Sequence, residues 1–260
     1  MSDKEIERRR YDERAKTLRS HSSIAYRPSS GAAAVSVELR DPYERYEFLI
    51  RRWSDSGSSV LEIGAGTGEF TIAALESGAN VVATDISAES LNLLVRKYAD
   101  FRDRLAVRPA DMESLPFDDE SFDCVTSAGS LSYGDNVTVM AEIYRVLKPG
   151  GRFICVDSLN QNPIYRANRW WHYLRDRRSR STLERMPTTA LIDRYRQTFG
   201  EVQVEFYGSL AWVMPVAVRV AGPERARQLS NWFDRSFHVT RSAFKFVMVA
   251  TKKREKNGLE

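Results

Sequence analysis

The chain has 260 residues, of which 42% are hydrophobic and 28% charged, a balance typical of globular proteins with one domain plus additions. Its two cysteines lie inside apolar runs, which excludes a disulfide framework and a cysteine-based metal site. The net charge is +4, but residues 166–196 alone carry +6, from nine arginines against three acidic residues, and such a patch is either an anion-binding surface or a solvated face.

The N-terminal part, residues 1–56, is predicted to be a helical arm. Its first residues are charged and lack the apolar centre of a signal peptide, and no apolar run in the chain approaches the ~20 residues of a membrane span. We therefore expect a cytoplasmic protein without a transmembrane segment. One helix is predicted over residues 3–18, and a second begins at Asp41, as its N-cap, followed by Pro42 in the first turn.

Residues 57–157 alternate short apolar runs with helical periodicity. Strands are predicted at 60–63, 80–84, 105–107, 122–127 and 152–156, and helices at 70–77, 87–98 and 137–147. Leu91, Leu94 and Val95 are predicted to face the core, and residues 148–151 (Lys-Pro-Gly-Gly) are predicted to end the helix at 137–147 before the fifth strand. This alternation is typical of a parallel sheet covered on both faces.

Residues 158–260 are predicted to complete the core with two strands, at 202–207 and 244–251. They also contain two insertions, at about 158–185 and 209–241, the second of which is interrupted at Gly222 and Pro223. Both insertions are rich in aromatic residues. We expect them to form a substrate lid together with the N-terminal arm.

The strongest local motif is the run Glu62-Ile63-Gly64-Ala65-Gly66-Thr67-Gly68, between a strand and a helix. Glycines there allow a tight turn and a close approach to a ligand, and Asp85, at the end of the next strand, is placed to bind a ribose diol. The spacing differs from the Gly-x-Gly-x-x-Gly of dinucleotide sites, and Glu69 would repel a pyrophosphate. The pattern therefore favours S-adenosylmethionine (SAM) over NAD.

The same residues resemble motif I of the class I SAM-dependent methyltransferases, and four further stretches resemble later motifs of that family in the right order. These stretches are 81–91, 111–117, 121–125 and 142–151, so the resemblance covers residues 58–157. The family's fold is α/β and Rossmann-like: a doubly wound, seven-stranded, mostly parallel sheet whose last strand is antiparallel, here with a helical N-terminal arm and helical lid insertions.

The resemblance implies a set of cofactor-binding residues for SAM, with S-adenosylhomocysteine as product. No metal is expected, because no cluster of carboxylates or histidines has the spacing of metal ligands. Asp85 would hold the ribose hydroxyls, Ile86 would pack on the adenine and Asp111 would bind the adenine amino group. The full set comprises Glu62, Gly64, Ala65, Gly66, Thr67, Gly68, Asp85, Ile86, Asp111, Met112, Ser127 and Ala128.

The catalytic base does not follow from the family, because the loop after the fourth strand reads Gly-Ser-Leu-Ser-Tyr where many relatives carry a histidine. Tyr133 in that loop, and His172 and His238 in the lid segments, are the candidates that remain. Imidazole is suited to proton transfer near neutral pH.

The acceptor is predicted to be a small molecule, with the hydroxyl of a sugar, glycan or glycolipid precursor as the first choice. Residues 158–190 resemble, more vaguely, methyltransferases of surface-glycan synthesis, and Arg166, Arg169 and Arg175 could hold a phosphorylated acceptor. A quinone, polyketide, amine, lipid or RNA acceptor remains open, as does SAM binding without catalysis. The absence of an RNA-binding motif disfavours RNA, no DNA is expected, and both a monomer and a homodimer fit.

Overall fold

The computed structural model describes residues 3–21, 31–166, 180–237 and 240–254. Its centre is one seven-stranded sheet in the order β3-β2-β1-β4-β5-β7-β6. The strands are β1 (Ser59–Ile63), β2 (Asn80–Asp85), β3 (Leu105–Pro109), β4 (Phe122–Ala128), β5 (Leu147–Ser158), β6 (Glu201–Tyr207) and β7 (Lys245–Thr251).

Helices cover the sheet and connect its strands. They are α1 (Asp3–His21), α2 (Asp41–Trp53), α3 (Ile72–Glu76), α4 (Ala88–Lys97), α5 (Asn136–Val146), α6 (Arg180–Glu184), α7 (Thr189–Thr198), α8 (Met214–Ala221) and α9 (Pro223–Phe237). Residues 163–166 form one further helical turn.

Strands β1 to β5 run parallel, whereas β7 is antiparallel to both of its neighbours, β5 and β6. The predicted mostly parallel sheet is therefore confirmed, and its antiparallel strand lies inside the sheet. Because β7 reverses direction, β6 runs the same way as β5. The carboxyl ends of β1, β2, β4, β5 and β6 consequently share one edge of the sheet.

The sheet is buried on both faces, as its continuous apolar strands predict. On one face, strand residues such as Leu61 and Phe153 pack against α5 and α7, through side chains that include Ile143 and Tyr195. On the other face, the strands pack against α2, α3 and α4. Two stacked aromatic rings, Phe153 and Tyr195, lie 5.6 Å apart between their centroids.

Two local predictions were wrong, and β5 begins five residues earlier than predicted. Asp41 is not the N-cap of α2: Arg40 holds that position without a side-chain cap, and the Asp41 carboxylate accepts a hydrogen bond of 2.7 Å from Arg227. Val95 is 43% exposed, because α4 buries only its Leu91 and Leu94 stripe. Residues 148–151 lie within β5, where a register shift against β4 absorbs the extra residues and Gly150 adopts a φ of 80°.

The second insertion is a helical hairpin, α8 and α9, broken at Gly222 as predicted. Arg227 fixes it to the start of α2 through Asp41 and Glu44. In α9, the carboxylate of Asp234 accepts hydrogen bonds from the backbone N–H groups of Gly208 and Ser209, just after β6. In the described parts of the chain, no helix is both long and apolar enough to cross a bilayer.

Candidate functional site

A cavity of about 450 Å³ lies at the carboxyl ends of β1, β2 and β4, within the size range of small-molecule sites. In open α/β sheets this edge is the usual place for a ligand. Ten of the twelve residues predicted to bind the cofactor line this cavity, together with Tyr133. The ten are Glu62, Gly64, Ala65, Gly66, Thr67, Asp85, Ile86, Asp111, Met112 and Ala128.

The glycine turn after β1 forms the floor of the cavity. Gly64 and Gly66 have φ angles of 65° and 54°, a region that residues with a Cβ rarely adopt. A Cβ on Gly64 would overlap the side chain of Ser130, whereas a Cβ on Gly66 would meet no protein atom within 4 Å. Because Gly66 lines the cavity, its missing side chain leaves open space for a ligand.

Gly68 has a different role from the other two glycines, since it lies outside the cavity lining. Its φ is 77°, and a Cβ there would lie 2.7 Å from Cγ of Leu94 and 2.9 Å from Cε2 of Tyr98. Its carbonyl accepts hydrogen bonds from the Tyr98 hydroxyl at 2.6 Å and from Lys97 Nζ at 3.2 Å. Gly68 therefore allows the turn to pack closely against α4.

Asp85 ends β2 with its carboxylate already fixed by the backbone. Oδ2 accepts a hydrogen bond of 2.9 Å from the N–H of Gly66, and Oδ1 accepts one of 2.9 Å from the N–H of Ser87. Desolvation by burial raises the pKa of this carboxyl, while backbone hydrogen bonds from Ser87, Gly66 and Ile86 act in the opposite direction. Each oxygen keeps a second lone pair that can accept from a ligand.

Glu62 places a second carboxyl group in the cavity wall, only 4% exposed. Its Oε2 accepts a hydrogen bond of 2.6 Å from the hydroxyl of Thr71, at the start of α3. Burial raises the pKa of Glu62 to about 7, since the hydrogen bond from Thr71 offsets only part of the desolvation cost. A cationic ligand group would therefore find a carboxylate that water does not fully solvate.

Ser127 is the other predicted residue that does not line the cavity. It is fully buried, and its hydroxyl lies 2.6 Å from that of Ser130, one step behind the cavity wall. Asp157 supports the same loop, because its Oδ2 accepts a hydrogen bond of 3.0 Å from the N–H of Leu131. These two contacts fix the 3₁₀ turn Leu131–Tyr133 that carries Tyr133 into the cavity.

Helix α1 forms the roof of the cavity. The sequence predicted that the N-terminal arm contributes to a lid, but not which of its residues line the cavity. Lys4 Nζ lies 2.5 Å from Oδ2 of Asp111 and 2.6 Å from Oε2 of Glu113. Further along, Ser87 donates a hydrogen bond of 2.6 Å to Asp12. The only sequence signal for this roof is the weak apolar stripe of α1, so its site residues were missed.

Tyr11 of α1 is in contact with Tyr133 of the loop after β4. The rings of Tyr11 and Tyr133 pack edge to face with centroids 5.6 Å apart, and both line the cavity. Burial and a hydrogen bond with Tyr133 raise the pKa of Tyr11 above its ordinary value, so its phenol stays protonated. Beside them the buried carboxylate of Glu7 accepts a hydrogen bond of 3.3 Å from Thr182.

The remaining predicted site residues either lie outside the described part of the chain or do not line the cavity. His172, His238, Arg169 and Arg175 lie outside the described residues. Arg166 is described, is exposed at the end of the turn 163–166, and does not line the cavity. Within the described part of the predicted lid segments 158–185 and 209–241, no residue lines it either, so α1 is the described element that covers the cavity.

Comparison with known proteins agrees with this geometry. Residues 61–155 match the family model described as a methyltransferase domain. Residues 61–155 therefore carry a methyltransferase domain, in agreement with the resemblance to the class I SAM-dependent methyltransferases. The matched range contains the glycine turn and all the strand ends that form the floor of the cavity.

Curated relatives match over part of the chain. The demethylmenaquinone methyltransferase of Lactiplantibacillus plantarum is 35% identical over 125 residues, which are 45% of this chain and 53% of that protein. The sterol 4-C-methyltransferase strm-1 of Caenorhabditis elegans is 30% identical over 192 residues, or 72% of this chain and 52% of that protein. The chain thus spans about half the length of these relatives.

Solved structures share the fold over more of the chain. The [4+2]-cyclase SpnF aligns with a TM-score of 0.65 at 19% identity, covering 97% of both chains. Geranyl diphosphate C-methyltransferase from Streptomyces coelicolor A3(2), solved with Mg²⁺, geranyl diphosphate and S-adenosylhomocysteine, aligns with a TM-score of 0.55 at 19% identity, covering 82% of this chain and 80% of that one. At these identities the likeness shows the fold alone.

Proposed function

We propose that this methyltransferase binds SAM in the cavity beneath α1 and transfers its methyl group to a small-molecule acceptor. The observation that carries the proposal is the meeting of three features in one cavity. These are the open space over Gly66, the carboxylate of Asp85, whose two oxygens can each accept a further hydrogen bond, and the buried carboxyl group of Glu62.

The three features fit the chemical parts of SAM. The free lone pairs of Asp85 suit the two ribose hydroxyls, and the buried carboxylate of Glu62 suits an ammonium group. When bound, SAM supplies a methyl group on a positively charged sulfur. The remaining task of the chain is to hold the acceptor in line with that methyl group and to exclude water, and the roof of α1 contributes to both.

Asp111 is proposed to bind the adenine amino group, as the resemblance implies. Its carboxylate also holds Lys4, so the adenine end of the site would be closed by an ion pair between floor and roof. Tyr11 and Tyr133 also line the cavity, and Tyr133 follows Gly129 and Ser130 of the cavity wall in the loop after β4. We propose that the acceptor meets the methyl group near this tyrosine pair, with Tyr133 as an acceptor-positioning residue, whereas His172 and His238 stay predictions.

For the acceptor, we propose an apolar ring compound of the quinone or sterol kind in place of the glycan hydroxyl that was our first choice. Two reported relatives are named for such acceptors, demethylmenaquinone and sterol, and neither for a sugar. The cavity wall also offers apolar surface from both sides, through Ala15 and Leu18 of the roof and Phe70 and Met112 of the floor. A sugar would leave its hydroxyls without partners along such a surface.

Calorimetry tests the cofactor site. We expect Asp85→Ala to weaken SAM binding about 30- to 100-fold, since two charge-assisted hydrogen bonds are lost. Asp100→Ala, which removes an exposed carboxylate outside the cavity lining, is the matched control and should bind SAM like the parent chain. Unchanged affinity in a folded Asp85→Ala variant would refute the assignment.

Transfer of radiolabelled methyl groups tests the acceptor. We expect label from SAM to enter the organic phase when demethylmenaquinone or a sterol is offered, and not the aqueous phase when a sugar nucleotide is offered. Label in the sugar nucleotide alone would restore the glycan prediction. SAM binding without transfer to any of the three would favour a SAM-binding protein without methyltransferase activity.

A further inference from the structure

The hairpin of α8 and α9 exposes an unusual amount of apolar surface. Of the thirteen large hydrophobic side chains exposed among the described residues, six fall between positions 212 and 237, so the exposure is concentrated rather than scattered. We name these six the hairpin face: Trp212, Val216, Val220, Leu229, Trp232 and Phe237.

Although Met214 of α8 is buried, most of the large apolar side chains of the hairpin point outward, unlike those of an ordinary surface helix. In α9 the buried positions are the small residues Ala226 and Ser230, whereas Trp232 is 59% exposed. In α8, Val216 and Val220 lie one helical turn apart and are 67% and 82% exposed. A helix that only covered a core would place its large side chains inward.

The aromatic members of the hairpin form a cluster of their own. The rings of Trp232 and Phe237 pack edge to face with centroids 5.9 Å apart, and Phe233 lies 4.8 Å from Phe237. Aromatic side chains grouped at a surface are typical of sites that enter a membrane interface or bind a partner.

The charges around the hairpin face decide between those two occupants. Arg219, Arg225, Arg235 and Arg241 are exposed, and none makes an ion pair with another described residue. The acidic residues do not balance them, because Asp234 is held by backbone N–H groups and only Glu224 is left exposed. A two-fold contact between copies would bring these arginines face to face, whereas anionic lipid headgroups would complement them.

We propose that the hairpin face docks on an anionic membrane surface, with its aromatic and aliphatic side chains in the interface and its arginines on the headgroups. The docking would bring the substrate edge of the protein to the lipid. The hairpin follows β6, whose carboxyl end lies at the same sheet edge as the cavity. This inference does not depend on the proposed acceptor, and its test requires neither SAM nor an acceptor.

Sedimentation of the full chain with large vesicles tests the docking. We expect at least tenfold stronger partition into vesicles of phosphatidylcholine and phosphatidylglycerol (7:3) than into phosphatidylcholine alone, and a loss of that preference at 0.5 M salt. The double variant Val220→Glu/Trp232→Gln should lose at least tenfold in partition. Arg225→Gln/Arg235→Gln should abolish the preference for the anionic vesicles.

Matched controls carry the same changes elsewhere. Val137→Glu alters an exposed valine of α5, and Arg96→Gln an exposed arginine of α4, so both should partition like the parent chain. Circular dichroism and thermal melting of every variant verify the fold. No partition into either vesicle, or equal loss in controls and hairpin variants, would overturn the proposal. A dimer in analytical ultracentrifugation that Trp232→Gln dissociates would assign the face to a second copy instead.

Discussion

The floor and the roof of the cavity are built from the chain in contrasting ways. The floor consists of strand ends and the segments that follow them, and its centre is the short glycine turn after β1, held by hydrogen bonds such as the one from the N–H of Gly66 to Asp85. The roof, α1, is attached through side chains across long stretches of sequence, with Lys4 and Asp111 separated by 107 positions. Partly exposed ion pairs of this kind each contribute little to the free energy of folding. The floor is therefore held more firmly than the roof, and we expect the roof to be the part that opens for the proposed cofactor.

The largest expected effect comes from filling the floor. Gly66→Ala should weaken SAM binding about 100-fold, because the new Cβ would occupy the space over the turn. Gly57→Ala is the matched control. Gly57 also has a positive φ, and a Cβ added there would meet no atom within 4 Å, but it lies outside the cavity lining.

Both glycine variants should lose about 1 kcal/mol of unfolding free energy through backbone strain, as measured by chemical denaturation. Only Gly66→Ala should lose affinity in calorimetry. Equal SAM affinity in the two variants would mean that the turn is not the floor of the SAM site.

An intermediate effect is expected from the protonation of Glu62. Because its pKa is raised to about 7, SAM binding that requires the carboxylate should weaken about tenfold for each pH unit below 7. Calorimetry between pH 5.5 and 7.5 measures this slope. In Glu62→Gln, which keeps a partner for Thr71, the slope should disappear and the affinity should be low throughout.

The raised pKa of Glu62 also predicts how the stability of the protein without SAM depends on pH. A raised pKa means that the contribution of Glu62 to stability is present at low pH and is lost as the pH rises through about 7. Glu62→Gln should therefore melt at a higher temperature than the parent at pH 8 and close to it at pH 5. A variant that is less stable at pH 8 would contradict this sign.

The smallest effect is expected at the roof. Lys4→Met removes both ion pairs to the floor and should accelerate SAM association and dissociation about two- to fivefold each, with little change in affinity. Stopped-flow measurements at low salt give both rates. At 0.5 M salt the rates of the parent chain should approach those of the variant, because salt screens the ion pairs.

Lys16→Met is the control for the roof, since Lys16 is an exposed residue of α1 that does not line the cavity. It should leave both rates unchanged. A Lys4→Met variant that loses SAM affinity as severely as Gly66→Ala would show that the roof, too, is part of the rigid site.

The sequence predicted the floor because its features are local. Strand periodicity, the glycine turn and Asp85 at the end of β2 can all be identified within short windows, and all of them are found at one sheet edge. The prediction of Asp41 as an N-cap failed because Arg227, 186 positions away, takes its carboxylate. Lys4 and Tyr11 were missed for the same physical reason, since nothing near them in the sequence indicates Asp111 or Tyr133.

The position of β7 in the sheet affects the order in which the chain can fold during its synthesis on the ribosome. Strand β6 has only β7 as a neighbour, so during synthesis it has no strand to pair with until residues 245–251 have emerged. Phe246 and Met248 also fill one core layer, and Val247 and Val249 the other. The earlier strands and the glycine turn can assemble during translation, whereas β6 and the hairpin attached to it must wait for the last strand and are exposed to chaperones and proteases meanwhile.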